Sequence, residues 1–137
     1  MRIFAYLEER FGLPAELFKN FILYAKKDTW YLLRKSLWVE QAAGLKVVSV
    51  GLKSFRRIGG YIKPTSRFIQ MFGVHAQKSR YDLNEQEFRQ IMADEPIDVQ
   101  WLIEPGYVIL THQNHIIGLG FFKQNRIQPQ LPRQKTK

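Results

Sequence analysis

Two histidines, His112 and His115, stand three residues apart, a spacing found in zinc sites. Zinc needs further nitrogen, sulfur or carboxylate ligands, and the adjoining residues supply none. The chain has no cysteine, which removes thiolate metal sites, disulfides and a cysteine nucleophile together. Both histidines flank an expected hairpin turn and read as exposed turn residues, while His75 falls on an apolar helical stripe and reads as a core or edge residue. Nucleophilic catalysis would need a base beside a serine. Ser49, Ser54, Ser66 and Ser79 lie in basic or apolar surroundings, and no Gly-x-Ser-x-Gly elbow occurs. "GLGFFKQNR" lacks the Gly-Lys-Ser/Thr ending of a phosphate loop, and no dinucleotide fingerprint is present. No cofactor, no metal and no autonomous enzyme activity are expected.

The cations carry a clearer message. "FRRIGGYIKPTSRFIQMFG", residues 55–73, holds Arg56, Arg57, Lys63 and Arg67 and no acid. From Ala43 to Arg80 there are eight Lys or Arg residues and no Asp or Glu; residues 82–104 reverse this, with seven acids against Arg89. The chain turns basic again after Pro105. Such segregation points to a basic face, with the acids on the solvated side of a helix. Phosphate contacts need cations spread over one face. Gly59-Gly60 would let backbone approach a ligand, and Thr65 or Ser66 would cap a helix whose free N–H groups point at an anion. Arg67 in that first turn opposes the helix dipole, which a bound anion would offset. Tyr61 and Phe55 are candidate stacking platforms for bases, with burial the stronger expectation for Phe55.

Composition supports a polyanionic partner. The chain of 137 residues carries a net charge of +9 and a pI of about 9.9. Its 45% hydrophobic content is that of a folded domain. "MRIFAYLEERFG" carries Glu8 and Glu9 and does not read as a signal peptide, and no run approaches a membrane span. A cytoplasmic location without membrane attachment is expected. No helix-turn-helix, zinc-finger or basic-zipper pattern occurs, so RNA is preferred over DNA.

These side chains must be positioned by short elements. A helix is expected over 2–10, ended by Gly12, then a short helix opened by Pro14. "FILYAKK" and "TWYLLRKS" predict a hairpin turning at Lys27-Asp28, and "LWVEQAAG" a helical turn closed by Gly44. "LKVVSVGLKSFRRI" predicts a strand, with Gly51 marking a bulge or a close backbone approach. After the glycine turn and "YIKP", a helix is expected from Thr65, burying Phe68, Met71 and Phe72. "SRYDL" predicts a strand. Asn84 with Glu87 forms a capping-box pattern ahead of a helix over 85–93. "DEPID" reads as a loop, "GYVILTHQ" and "HIIGLGFFKQ" as a hairpin, "RIQPQL" as a last strand, and residues 134–137 as a disordered basic tail. The class is α+β, with a small, mostly antiparallel barrel or sandwich.

The order of these pieces resembles the PUA-like RNA-binding domains that follow the catalytic domain in cytosine-5 rRNA methyltransferases, and archaeal stand-alone pre-PUA/PUA relatives. The match rests on "LKVVSVGLKSFRRIGGYIKPTSRFIQMFG", "KSRYDLNEQEFRQIMADEPI" and "GYVILTHQNHIIGLGFFKQNRIQPQLPR". It departs at Gln128-Pro129, where Lys-Asn often precedes the final proline, and at the turn His112–His115. The resemblance implies a mixed-strand pseudo-barrel with short helices over residues 44–133, preceded by a pre-PUA-like α+β unit over 1–43. It implies binding of structured rRNA or tRNA, accessory to RNA modification or ribosome biogenesis. The candidate RNA-binding residues are then Arg56, Arg57, Gly59, Gly60, Lys63, Thr65 and Arg67 on the first piece, with Lys123, Arg126 and Arg133 on the last. An RNA-modifying enzyme or a ribosomal particle would be the further partner. The alternative is a protein-interaction subunit whose basic face docks a catalytic chain or a ribosomal protein. A third reading is a metal-dependent enzyme using His112 and His115.

Overall fold

The computed structural model describes residues 2–35 and 51–132. The expected helical turn closed by Gly44, the strand residues Val47, Val48 and Val50, the boundary at 43/44, Arg133 and the basic tail lie outside the described residues. The first helix, α1 (Ile3–Phe11), buries Ile3, Leu7 and Phe11 at helical spacing and ends on Gly12 in the left-handed conformation (φ 67°). A one-turn helix over Ala15–Phe18 follows Pro14 and buries Phe18.

Strands β1 (Phe21–Lys26), β2 (Thr29–Arg34), β3 (Leu52–Ile58) and β4 (Tyr61–Pro64) form an antiparallel sheet in that order. The sheet therefore joins strands on both sides of the expected unit boundary. The turn between β1 and β2 falls on Lys27-Asp28 as the sequence predicts, with Lys27 at φ 55°. Helix α2 (Ser66–Phe72) follows β4, then the short strand β5 (Arg80–Asp82) and helix α3 (Glu85–Met92). The capping box on α3 is complete: Asn84 Oδ1 accepts from the Glu87 N–H at 2.8 Å, and Glu87 Oε1 from the Asn84 N–H at 3.0 Å. Strands β6 (Ile97–Asp98), β7 (Gly106–His112), β8 (His115–Lys123) and β9 (Arg126–Pro129) complete a second sheet of order β5-β7-β8-β9-β6, parallel only at β5–β7. The fold is α+β with two sheets, one curled into a half-barrel.

β7 is the centre of the molecule. Tyr107 to Thr111 are all buried, so this strand reads as a continuous apolar run rather than an alternating one. Tyr107 and Ile109 pack with α1, α2 and the first sheet; Val108 and Leu110 pack with Leu83, Ile91, Phe122 and Ile127 on the other side. Phe18, Phe55, Phe68 and Phe72 form an aromatic cluster in the first core, with centroids 4.4 to 6.0 Å apart. Each such buried ring contributes on the order of 2 kcal/mol by area alone.

Several expectations are corrected. Met71 is 51% exposed, because α2 buries Phe68, Ile69 and Phe72. At about 100° per residue, Ile69 turns the apolar face away from Met71. His75 is exposed, because the chain leaves the helix at Gly73 for a one-turn 3-10 segment and the helical spacing no longer applies. "DEPID" is not wholly loop: Ile97 and Asp98 pair with Ile127 and Arg126, since Ile97 fills the second core. The bulge in β3 lies at Ser54, not Gly51; Gly51 instead marks a close approach, where a Cβ would stand 3.2 Å from that of Tyr31. Among the described residues no helix is long and apolar enough to cross a membrane.

The Tyr6 hydroxyl ties α1 to β4 by donating to the Ile62 carbonyl at 3.1 Å. Burial is the main cause that pushes its pKa up to about 12, against a lowering contribution from Arg10. The folded state holds this proton more tightly than the unfolded chain does. Its contribution to stability is therefore intact below pH 10 and declines as pH rises from about 10 to about 12. Urea midpoints measured across that interval will fall less steeply for Tyr6→Phe than for the wild type; parallel curves would show that Tyr6 titrates normally in the fold.

Candidate functional site

The basic stretch is organised by the bulge in β3. Trp30 pairs with Phe55 and Tyr31 with Lys53, so Ser54 is the extra residue. Simple alternation would place Lys53 and Arg56 on opposite faces of the strand. With Ser54 absorbed, Lys53 lies opposite Tyr31 and Arg56 opposite Thr29, two residues apart on β2 and hence on one face. Phe55 keeps its place in the core at full burial, which removes it as a stacking platform. Arg56 is also the cross-strand partner of Lys63.

The same bulge receives the start of α2. The Thr65 N–H donates to the Ser54 carbonyl at 2.9 Å, and Thr65 Oγ1 donates to the Lys53 carbonyl at 2.7 Å. Thr65 Oγ1 also accepts from the Phe68 N–H at 3.2 Å, making Thr65 the N-cap. α2 has only seven residues, and this cap takes up one of its free donors. The helix start thus positions Thr65 and Ser66 beside the cations more than it supplies an anion site of its own.

The opposite wall comes from the segment after β9. The Gln130 N–H donates to the Leu119 carbonyl at 2.8 Å, and Lys63 Nζ donates to Gln130 Oε1 at 3.3 Å. Lys63 Nζ also stands 5.9 Å from the centroid of the Tyr107 ring. Gly118 (φ 157°) admits this segment: a Cβ there would collide with Leu131 Cδ2. Between the walls runs a groove of about 290 Å³, lined by Lys53, Arg56, Lys63, Thr65 and Ser66 against Leu131 and Pro132. A broader hollow of about 770 Å³, lined also by Asp94, shares Lys63, Gln130 and Leu131 with this groove.

The sequence-predicted residues divide accordingly. Arg56, Lys63 and Thr65 converge on the groove. Arg57 does not: its guanidinium lies 5.4 Å from the Trp30 ring centroid and its Nε 3.8 Å from Asp28 Oδ1, an acid brought in from the β1–β2 turn. Gly59 and Gly60 sit at an exposed turn with open space around them. Gly59 is required by its φ of 59°, not by a nearby ligand surface. Arg67 is exposed on the first turn of α2, outside the groove lining. Lys123 and Arg126 pair across the β8–β9 turn and line a separate hollow of about 400 Å³, where Arg126 Nε contacts Asp98 Oδ1 at 3.0 Å. Tyr61 is half-buried, with its ring edge-on to Phe121 at 4.9 Å, so it offers little free face. Lys53 and Gln130 were missed. The doublet of cations three apart, Lys53 and Arg56, was visible, but the bulge that aligns them was not.

The histidines are corrected as well. His112 is not an exposed turn residue: its side chain is 13% exposed and stacks on Phe88 at 4.2 Å. Its Nδ1 lies 2.9 Å from the Leu83 carbonyl and Nε2 3.4 Å from Glu85 Oε1, which fastens α3 to the end of β7. His115 is exposed. Among the described residues no three His, Asp or Glu side chains converge as a metal site.

A second cationic hollow of about 770 Å³ contains Arg10, Lys78 and Arg80 beside Trp101. Its cations are already engaged with backbone. Arg10 donates to the Glu104 carbonyl at 2.7 Å and the Tyr107 carbonyl at 3.0 Å, Lys78 to Glu9 at 3.4 Å, and Arg80 to Ala76 at 3.3 Å. This hollow ties α1 to the strands. No protein-family model matches the chain, and no curated protein matches it either.

Thr65→Val removes both the cap and the bond to Lys53 while keeping the shape. It should cost about 1–2 kcal/mol, read as a lower urea midpoint at unchanged m-value; an unchanged midpoint would mean that Thr65 does not hold the helix start to the bulge.

Proposed function

We propose that this chain is an RNA-binding module of PUA-like type, accessory to the modification of rRNA or tRNA or to ribosome biogenesis. The carrying observation is the alignment of Lys53, Arg56 and Lys63 along one groove beside a capped helix start. Three cations on one wall neutralise successive phosphates and release their counterions, which is the main source of affinity for a nucleic acid. Polar Ser66 and Gln130 stand among them and can hydrogen-bond phosphate or ribose. The acids of α3 complement that helix's own N-terminus instead of opposing the basic face.

In this reading β3, β4 and the second sheet around β7 correspond to the pseudo-barrel. α1 and the β1–β2 hairpin correspond to the companion unit, joined to it through the β2–β3 pairing. Lys123 and Arg126 form a second, more peripheral contact, with Arg126 shared by Asp98. A docking subunit for a protein partner is the competing reading. Met71 and Val74, exposed at 51% and 61% near the end of α2, favour it.

Binding of structured rRNA or tRNA fragments, followed by fluorescence anisotropy from about 50 to 200 mM salt, tests the proposal. The wild type should weaken steeply with salt. Arg56→Glu with Lys63→Glu should cut affinity at least about tenfold and flatten the log–log salt slope by about 2. No binding at low salt would refute the proposal, and salt-insensitive binding would refute its phosphate mechanism. A partner retained after nuclease treatment of an extract, and lost in the charge-reversed variant, would favour the docking reading.

A further inference from the structure

We infer that the outer face of β1, β2 and β3 is a stacking platform for an unpaired run of nucleotides leading into the groove. The inference rests on the RNA-binding reading and specifies the form of RNA that this chain takes. Two cross-strand rows define the face. Lys26 pairs with Thr29, Thr29 with Arg56 and Arg56 with Lys63. Beside it, Tyr24 pairs with Tyr31 and Tyr31 with Lys53. Residues one step along the strands, Trp30, Phe55 and Ile62, are buried on the opposite face.

The two rows hold four cations, two tyrosines and no acid. Lys26, Lys53 and Arg56 are exposed, Tyr24 is 36% exposed and Tyr31 is half-buried. The two tyrosine rings lie 6.4 Å apart at 48°, tilted and not stacked face to face. Gly51 puts no side chain against Tyr31. Cross-strand tyrosines alone stabilise a sheet. The pattern here goes further, because the tyrosine pair lies directly beside the row of cations and the bulge at Ser54 brings Lys53 and Arg56 onto that same face. Single-stranded nucleic acid is bound by this combination, with bases on aromatic faces and phosphates on a tracking line of Lys and Arg. A paired A-form helix hides its base faces and would leave the tyrosines unused. The second row ends at Lys53 and the first at Arg56 and Lys63, all of which line the groove, so the strand would pass from the tyrosines into it.

The test compares a labelled oligouridine 12-mer with a fully paired RNA hairpin, using the full chain. Tyr24→Ala with Tyr31→Ala should weaken oligouridine binding about tenfold or more without changing its salt slope. Tyr24→Phe with Tyr31→Phe keeps both rings and should bind within about twofold of wild type. Lys53→Gln should lower the slope by about 0.7. Crosslinking of 5-bromouridine oligomer to the wild type should mark Tyr24 or Tyr31, a readout independent of how the alanine variants fold. Unchanged oligouridine affinity in the folded alanine pair, or crosslinks confined to other residues, would overturn the inference. Binding of the hairpin without oligouridine would overturn it and leave the RNA-binding reading standing, whereas binding of neither would overturn both.

Discussion

One extra residue in a strand holds this surface together. Ser54 is fully buried, with its hydroxyl donating to the Leu52 carbonyl at 2.8 Å. A regular β3 with Phe55 in the core would turn Lys53 into the core beside it and leave Arg56 alone on the outer face, because side chains alternate strictly between faces. The bulge resolves that conflict. It also frees the carbonyls of Lys53 and Ser54 to hold Thr65, so the strand, the helix start and the cations are fixed by the same few backbone atoms. Bulges carry this kind of re-aiming role elsewhere, at sheet edges and next to functional sites.

The charge pattern changes meaning once folded. Along the chain the cations of 43–80 have no acid among them, yet Arg57 meets Asp28, and Arg126 meets Asp98 from the acidic segment. Both pairs are solvent-exposed and contribute little to stability. Strand alternation sets direction: Arg57 lies on the Trp30 side of β3, while Lys53, Arg56 and Lys63 stay together on the groove. The acids of α3 are spent on its capping box, on Arg89 and on His112.

What the sequence made legible was local. The α3 capping box, the β7–β8 hairpin with Gln113-Asn114 at positive φ, and the Thr65 cap each depend on residues a few positions apart. The misses depended on distant partners. Nothing near Met71 announces that Ile69 faces the core, and nothing near Ile97 announces its pairing with Ile127. His112 looked solvated because Phe88 and Leu83 reach it from other elements. Of the site, Arg56, Lys63 and Thr65 were legible from charge and cap chemistry; Lys53 was hidden by the bulge, and Gln130 by the fold-back over Gly118.

The most direct test of the RNA-binding face is an amide shift map of the labelled protein titrated with RNA. The account predicts that perturbations concentrate on Lys53, Arg56, Lys63, Thr65 and Gln130 and extend to Tyr24 and Tyr31. Perturbations centred on α3, or none at all under saturating RNA at low salt, would contradict it.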